Sequence, residues 1–463
     1  MSASLQDPAL PGLERALNGR MMAPAFEAFF RREDPGRDLR LRACQIETVR
    51  HRPGKRCRIS YLLSGTDAEG SFERRLTCSL LAEGRSPARY LDGAPDAMPG
   101  CAPWRPASWW PEMRMVIYAF PYDRKLPALG RLRDPERTRQ EVDGRLEGWG
   151  WPWPWRAGAV QIEPFKYRSG RRCLIRYQAS LEGPRGERSS LAFFGKTYPD
   201  AQSRYVYDAL VPIRASLEGS NGGFEIPRPL AHLDAAHTLW QEAWHGEGPR
   251  ARAARVGWPS FLGTGALGRV AAMLAAIHRV DPPPGLLRPA PDTGSLIGEV
   301  RDNLQHIRTF EPELVATLER TALLLEDSQP RSPVPAATLH GTFKLAQILC
   351  RDEAVAAIDF DAVASGDPHL DLGEFTASLL HLEARDGVAS DLVDAAREGF
   401  LDAYAKAVPW PCDRSRVAWY AAAFLLAKLH SLFKKHDQGG LDRLPAALRR
   451  LESEALRAAG RGA

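Results

Sequence analysis

The sequence predicts an α+β protein in which sheets come first and helices follow. Three observations predict it: a strand–turn–strand segment that occurs twice, a Trp/Pro-rich stretch between the two copies, and a change from strand to helix periodicity near Gly265.

The repeated segment is "CQIETVRHRPGKRCRISY" from Cys44 and "VQIEPFKYRSGRRCLIRY" from Val160. About half of the aligned positions are identical, among them Gln45/Gln161, Gly54/Gly170, Cys57/Cys173 and Tyr61/Tyr177. Each copy reads as an alternating strand, a turn opened by glycine and a second alternating strand, followed by a further strand ("RRLTCSLLA", "SSLAFFGKTY") and a short helical stretch. Two copies make a duplicated sheet unit, whereas a solenoid needs more.

Between the copies, "LRDPERTRQEVDGRLEG" has helical spacing, and the run Trp149, Trp151, Trp153, Trp155 alternates with glycine and proline. Proline lacks the amide donor and restricts its predecessor, so this run ends the helix; it reads either as an aromatic ligand platform or as a stiff linker whose indoles pack between two domains. From Gly265 the apolar residues recur at helical intervals, and the stretch from Arg414 to about Ala459 is helical too. The expected organisation is an N-terminal β module (1–128), a helical and Trp/Pro linker (129–157), a second small sheet lobe with a hinge (158–245) and a helical region (246–463).

Composition excludes several classes. A hydrophobic fraction of 44% supports a sizeable core, and a net charge of +5 over 463 residues, with acids interleaved, does not suggest a nucleic-acid-binding protein. No run of 18 apolar residues is present and the N-terminus has no secretory pattern, so no membrane span is expected and the expected location is the cytoplasm. The seven cysteines form no C-x-x-C pair and have irregular spacing, which argues against a disulfide framework or a zinc site.

The chemistry concentrates in "HGTFKLAQ" (340–347), "IDFD" (358–361) and "GDPHLDL" (366–372). Asp359 and Asp361 are two residues apart, a spacing that puts both carboxylates on one side of an extended segment. Gln347 offers a carbonyl acceptor, Lys344 a cation, and Asp367-Pro368 a turn. Upstream, Lys196 ends an apolar strand after the turn Arg168-Ser169-Gly170-Arg171.

This ordered set resembles the aminoglycoside phosphotransferase/choline kinase-like family, whose core pattern is an H-G-D-x-x-x-x-N loop, then I-D-x-[DE], then G-D-P-x-x-D-L. The resemblance covers roughly Gly158 to the C-terminus and implies a protein-kinase-like two-lobe fold: a small antiparallel β lobe and a helical C-lobe, here preceded by a duplicated small-lobe-like domain. It implies ATP and Mg²⁺ as cofactors and a small-molecule acceptor of unknown identity. By the same resemblance Asp359 is a metal-binding carboxylate, with Gln347 in the place of the metal-binding Asn and Asp361 able to join them. Lys196 contacts the α- and β-phosphates, with Asp208 as the acid at a suitable distance for its partner. Gly170 and Arg171, or Arg172, lie over the phosphates. The backbone of Gln241, Glu242 and Ala243 meets an adenine edge. His340 and Asp371 fasten the catalytic loop, and His278 is structural.

The departure from the pattern is Thr342, which stands where the family has its catalytic Asp. A hydroxyl has no charge with which to draw a proton near pH 7, and a positioned general base is worth typically ~10²–10⁴ in rate. Two readings follow: an ATP-dependent phosphotransferase that relies on positioning and on Lys344, Lys196 and Asp359, or a pseudokinase-type nucleotide-binding regulator without catalysis. The first β copy has no lysine aligned with Lys196, so it reads as a module without a nucleotide site, used for packing, regulation or a protein partner.

Overall fold

A computed structural model describes residues 7–36, 38–52, 54–101, 104–219, 222–263, 265–308, 311–435 and 441–461. The outermost residues of the first and last predicted segments, 1–6 and 462–463, lie outside the described residues. The chain divides into two compact units: Met1–Arg204 with Leu230–Gln241, and Tyr205–Pro229 with Glu242–Ala463. The α+β class holds, with long antiparallel sheets in the first unit and mostly helices in the second. One boundary between the units falls between Gln241 and Glu242.

The first unit contains two five-stranded sheets of the same topology. Strands β1 (Arg40–Arg52), β2 (Arg56–Asp67), β3 (Gly70–Leu81), β4 (Ala107–Trp110) and β5 (Met115–Ala119) are ordered β1-β2-β3-β5-β4. Strands β6 (Arg156–Arg168), β7 (Arg172–Glu182), β8 (Arg188–Thr197), β10 (Pro229–Leu233) and β11 (Thr238–Glu242) are ordered β6-β7-β8-β11-β10; β9 (Phe224–Glu225) belongs to the second unit. Along β7 burial alternates strictly between Cys173 and Leu181, the pattern of a sheet with one face against a core. Each sheet has its own apolar core.

The duplication reaches beyond the aligned segment. Tyr61 and Tyr177, both fully buried, donate their hydroxyls to the backbone carbonyls of Ala16 (2.6 Å) and Leu132 (3.0 Å). The Gly54 amide donates to Asp7 (2.9 Å) and the Gly170 amide to Asp123 (2.7 Å). Both glycines need the left-handed conformation, at φ 64° and 65°. In each copy the last two strands are joined by a 3₁₀ turn that ends on a left-handed non-glycine residue, Arg114 or His237.

The stretch between the two sheets is first helical and then Trp/Pro-rich. Helix α2 (Pro135–Asp143), which follows α1 (Gly19–Glu33) in our numbering, starts with Pro135 behind the Asp134 cap. Trp149 is buried, its indole donating to the Leu230 carbonyl (2.8 Å), and Trp151 packs edge-on against Trp155 with centroids 4.9 Å apart. Trp153 is exposed under the Arg156 guanidinium.

Helix α3 (Gln202–Leu217) contains the division between units, at Arg204/Tyr205. The second unit then contains α4 (Ala266–His278), α5 (Thr293–Arg308), α6 (Val315–Asp327), α7 (His369–Asp386), α8 (Ser390–Ala407), α9 (Arg414–Lys435) and α10 (Leu444–Ala458). Short strands are set among them: β12 (Ala337–Leu339) pairs antiparallel with β15 (Ala364–Gly366), and β13 (Ile348–Arg351) with β14 (Ala354–Ala357), beside which β9 lies parallel. Among the described residues no helix is long and apolar enough to cross a membrane.

Candidate functional site

The loop 340–347 leaves β12 and is held from below by one carboxylate. Asp371, in the first turn of α7, is fully buried. Its Oδ2 accepts the His340 amide (2.7 Å) and Nε2 of His278 (3.2 Å); its Oδ1 accepts the amides of Gly341 (2.9 Å) and Phe343 (3.4 Å). A buried carboxylate is tolerated when its lone pairs are filled in this way. His278, buried at the end of α4, completes the clamp with Nδ1 against the Tyr404 hydroxyl (2.7 Å). The expectation that Asp371 fastens the loop through backbone N–H groups, and that His278 is structural, matches this geometry.

His340 ties the loop to the segment carrying Asp359. Its Nε2 donates to the Ile358 carbonyl (3.0 Å), and its ring lies 4.3 Å from that of Phe360. Burial holds the imidazole pKa below its ordinary value, which keeps the ring neutral and the Nε2–H in place as donor. Gly341 permits the close approach of the two segments: it has φ 81°, and a Cβ there would stand 1.9 Å from the Ala362 carbonyl oxygen.

The segment 358–362 differs from its sequence-based description. Asp359 is left-handed at φ 73°, Phe360 is buried and Asp361 begins a turn. The extended alternation that was to put Asp359 and Asp361 on one side is therefore absent. A left-handed aspartate costs about 1–3 kcal/mol and persists only where its surroundings fix it. Here the surroundings include Gln347, buried, whose Nε2 donates to Asp359 Oδ2 (3.3 Å), and whose main-chain carbonyl accepts the Ile358 amide (2.9 Å). The side-chain carbonyl of Gln347 and the carboxylate of Asp359 are thus neighbours, hard oxygen donors of the kind Mg²⁺ takes together with phosphate and water. Among the described residues no group of three or more His, Cys, Asp or Glu is arranged to hold a metal.

Lys344 and Thr342 occupy the outer part of the loop and both are partly exposed. Lys344 Nζ lies 3.8 Å from Oε1 of Glu374, a nearly buried carboxylate one helical turn beyond Asp371. Burial pushes the Glu374 pKa up to about 7, against the opposing pull of Lys344 and Lys428. The sequence reading missed Glu374. Its signal was the i, i+3 spacing from Asp371 in "DLGE", which places both on one helix face. Asp367, predicted to be structural, accepts from His369 (Nδ1, 2.7 Å), Tyr420 (2.9 Å) and Arg416.

The remaining expected residues lie on or next to the sheet of the second copy. Lys196 is on β8 opposite Leu174, with Nζ 5.6 Å from the Tyr198 ring. Gly170 and Arg171 form the β6–β7 turn, but the Gly170 amide is engaged by Asp123, as the Gly54 amide is by Asp7. The same bond in both copies marks it as part of the repeat. Of the expected hinge residues, Gln241 and Glu242 end β11, and the Glu242 amide donates to the Arg228 carbonyl (2.9 Å) and so is not open to an adenine edge; Ala243 follows. Asp208 is on α3 in the second unit.

A model of the phosphotransferase enzyme family matches residues 211–411, which include all of the loop, the Asp359 segment and Asp371. No curated protein matches. Similar solved structures include a spectinomycin phosphotransferase in complex with ADP and spectinomycin (12% identity, TM-score 0.43, covering 70% of this chain and 97% of that one). Others are a choline/ethanolamine kinase family protein from Mesorhizobium loti (14%, 0.41, 70% and 98%) and an aminoglycoside phosphotransferase from Streptomyces rimosus (18%, 0.35, 63% and 99%).

Proposed function

We propose, from the match of residues 211–411 to a model of the phosphotransferase enzyme family, that this protein transfers the γ-phosphoryl group of ATP to a small-molecule acceptor with Mg²⁺. The observation that carries this reading is the loop 340–347, clamped by Asp371 so that Gln347 stands 3.3 Å from Asp359. Asp359 and Gln347 would hold the metal, which would supply positive charge to offset that of the phosphates. Lys344 offers a cation on the same loop, kept in place by Glu374. Lys196 is assigned to the nucleotide phosphates, as the family resemblance implies. Phosphoryl transfer has a loose transition state, so positioning and charge neutralisation provide most of the catalysis and a missing base slows the reaction without forbidding it.

The second reading, a nucleotide-binding regulator without catalysis, is favoured by one residue, Thr342, whose hydroxyl is no base. Thermal melting with ATP, with and without Mg²⁺, tests both. Ligand at 100 Kd stabilises by about 2.7 kcal/mol, and Asp359→Ala is expected to remove the Mg²⁺-dependent part of the shift. No shift at millimolar Mg-ATP sinks both readings. Thr342→Asp separates them: turnover on a hydroxyl acceptor rises, by at most ~10²–10⁴, if the protein is a kinase lacking its base, and stays at background if it is a regulator.

A further inference from the structure

The turn between β1 and β2 opens on a cavity of about 380 Å³ whose walls are almost entirely cationic: Arg52, Lys55, Arg56, Arg85, Arg89 and Arg124, with Tyr90 the remaining lining residue. Among the described residues no carboxylate lines it. Arginines elsewhere in the same module have acids, Arg75 with Glu47 (3.0 Å) and Arg32 with Glu112 (2.9 Å), whereas none of these six forms an ion pair among the described residues. The carboxylate of the turn, Asp7, is nearly buried and bonded to the Gly54 amide and to His51 (2.7 Å).

Part of the wall is held by contacts within the module. The Arg89 Nη2 donates to the Tyr90 hydroxyl (2.7 Å), and its guanidinium lies 4.8 Å from the centre of that ring. Arg124 donates through Nη1 to the Arg89 carbonyl. Tyr90 is buried, with its own carbonyl accepting the Tyr118 hydroxyl (2.6 Å). Arg114 bonds the carbonyls of Ala82 (3.1 Å) and Arg85 (3.3 Å), which holds the segment carrying Arg85.

We propose that this cavity binds a soluble, phosphate-bearing small molecule, and that the first sheet module is a ligand-binding module distinct from the loop 340–347. Six like charges around one cavity repel one another, and a ligand with two or more negative charges relieves that repulsion. Planar guanidinium forks match phosphate oxygens in pairs, which a row of lysines would not do. The volume is that of a pocket for a ligand of drug-like size. Nucleic acid calls for a basic stripe along a face, while these cations converge on a concavity. The same cationic triplet flanks the turn of the second copy, as Arg168, Arg171 and Arg172, but only the first copy adds Arg85, Arg89 and Arg124 around it.

The test is calorimetric titration of the full chain with pyrophosphate. Saturable binding is expected in the wild type and equally in Asp359→Ala, with affinity falling ~10-fold or more in Arg56→Gln/Arg89→Gln and in the exposed single variant Arg124→Gln. Added NaCl is expected to raise the melting temperature of the unliganded wild type more than that of the double variant, because salt screens the repulsion. Absence of binding at millimolar pyrophosphate, or equal binding by variants that melt like the wild type, overturns the proposal. Binding abolished by Asp359→Ala would also overturn it, by moving the ligand to the other site. Co-sedimentation with phosphoinositide vesicles without pyrophosphate binding would replace the soluble ligand with a membrane surface and overturn it as well.

Discussion

The two sheet modules of the first unit share a frame and differ in what it carries. Sheet order, the left-handed glycine turn, the aspartate on its amide and the tyrosine reaching back to a carbonyl are the same in both. At the place in the register where the second copy has Lys196, opposite Leu174, the first has Ser79, opposite Arg58. After the third strand the second copy has the sixteen-residue α3, and the first a single turn, Ala88–Leu91. The first copy gathers cations around one cavity that form no ion pair among the described residues. Features common to both copies answer to folding, and function is to be sought where they part.

The largest expected effect separates Lys196 from Ser79. Lys196→Ala is expected to lower phosphoryl transfer by ~10²–10³, the usual loss for one charge-stabilising donor. Ser79→Ala is expected to leave transfer unchanged and stability equal or higher, since the Ser79 hydroxyl is buried without a hydrogen-bond partner among the described residues. Steady-state kinetics and melting check this, and equal losses in both variants would break the distinction between the modules.

Next come the two aspartates. Asp7→Ala and Asp123→Ala each strip an acceptor from a glycine amide and a ring donor, His51 or Tyr167 (2.7 Å each), and each is expected to cost about 2 kcal/mol in denaturant unfolding. If Asp123→Ala instead tightens ATP binding, the Gly170 amide belongs to the nucleotide after all and the carboxylate has been standing in for a phosphate.

A smaller effect, in the second unit, serves as a control outside the repeat. Glu374 in the folded protein holds its proton up to about pH 7, whereas the unfolded chain releases it near 4.5. The folded state therefore binds more protons between these values, and the wild type loses stability as pH rises through that window. Glu374→Gln does not, so its stability relative to the wild type is expected to climb by about 1–3 kcal/mol from pH 4.5 to pH 8, with pyrophosphate binding unchanged. A difference that is flat with pH would show that Glu374 is ionised throughout.

The sequence showed the duplication, the strand-to-helix order and the motif set because each leaves a local pattern: identity at a fixed offset, periodicity, spacing. Asp371 was legible as a clamp for the same reason. The Asp7–Gly54 and Asp123–Gly170 bonds join residues 47 apart and leave no such pattern. The turn at Asp359 was hidden because "DFD" reads as alternation, while the Gln347 contact and the approach of Gly341 that surround it are tertiary. Glu374 looked like any helical acid, since burial by α9 cannot be read from its own helix. The cationic cavity draws on three separate stretches, none a charge run by itself.

The aspartate–glycine bond also dates the joint between the copies. Asp7 and Asp123, Ala16 and Leu132, Gly54 and Gly170, and Tyr61 and Tyr177 all share an offset of 116 residues, so the ancestral unit began at or before the aspartate and not at the first long strand. The first copy's last strand ends at Ala119, which leaves only Phe120, Pro121 and Tyr122 as the seam. A gene fragment cut at the Trp/Pro run would therefore encode a sheet severed from its own anchor, with the Gly170 amide and the Tyr177 hydroxyl facing acceptors left behind on the other piece. An engineer moving this module elsewhere would have to cut in the three-residue bridge before Asp123, so that the aspartate travels with the turn it holds.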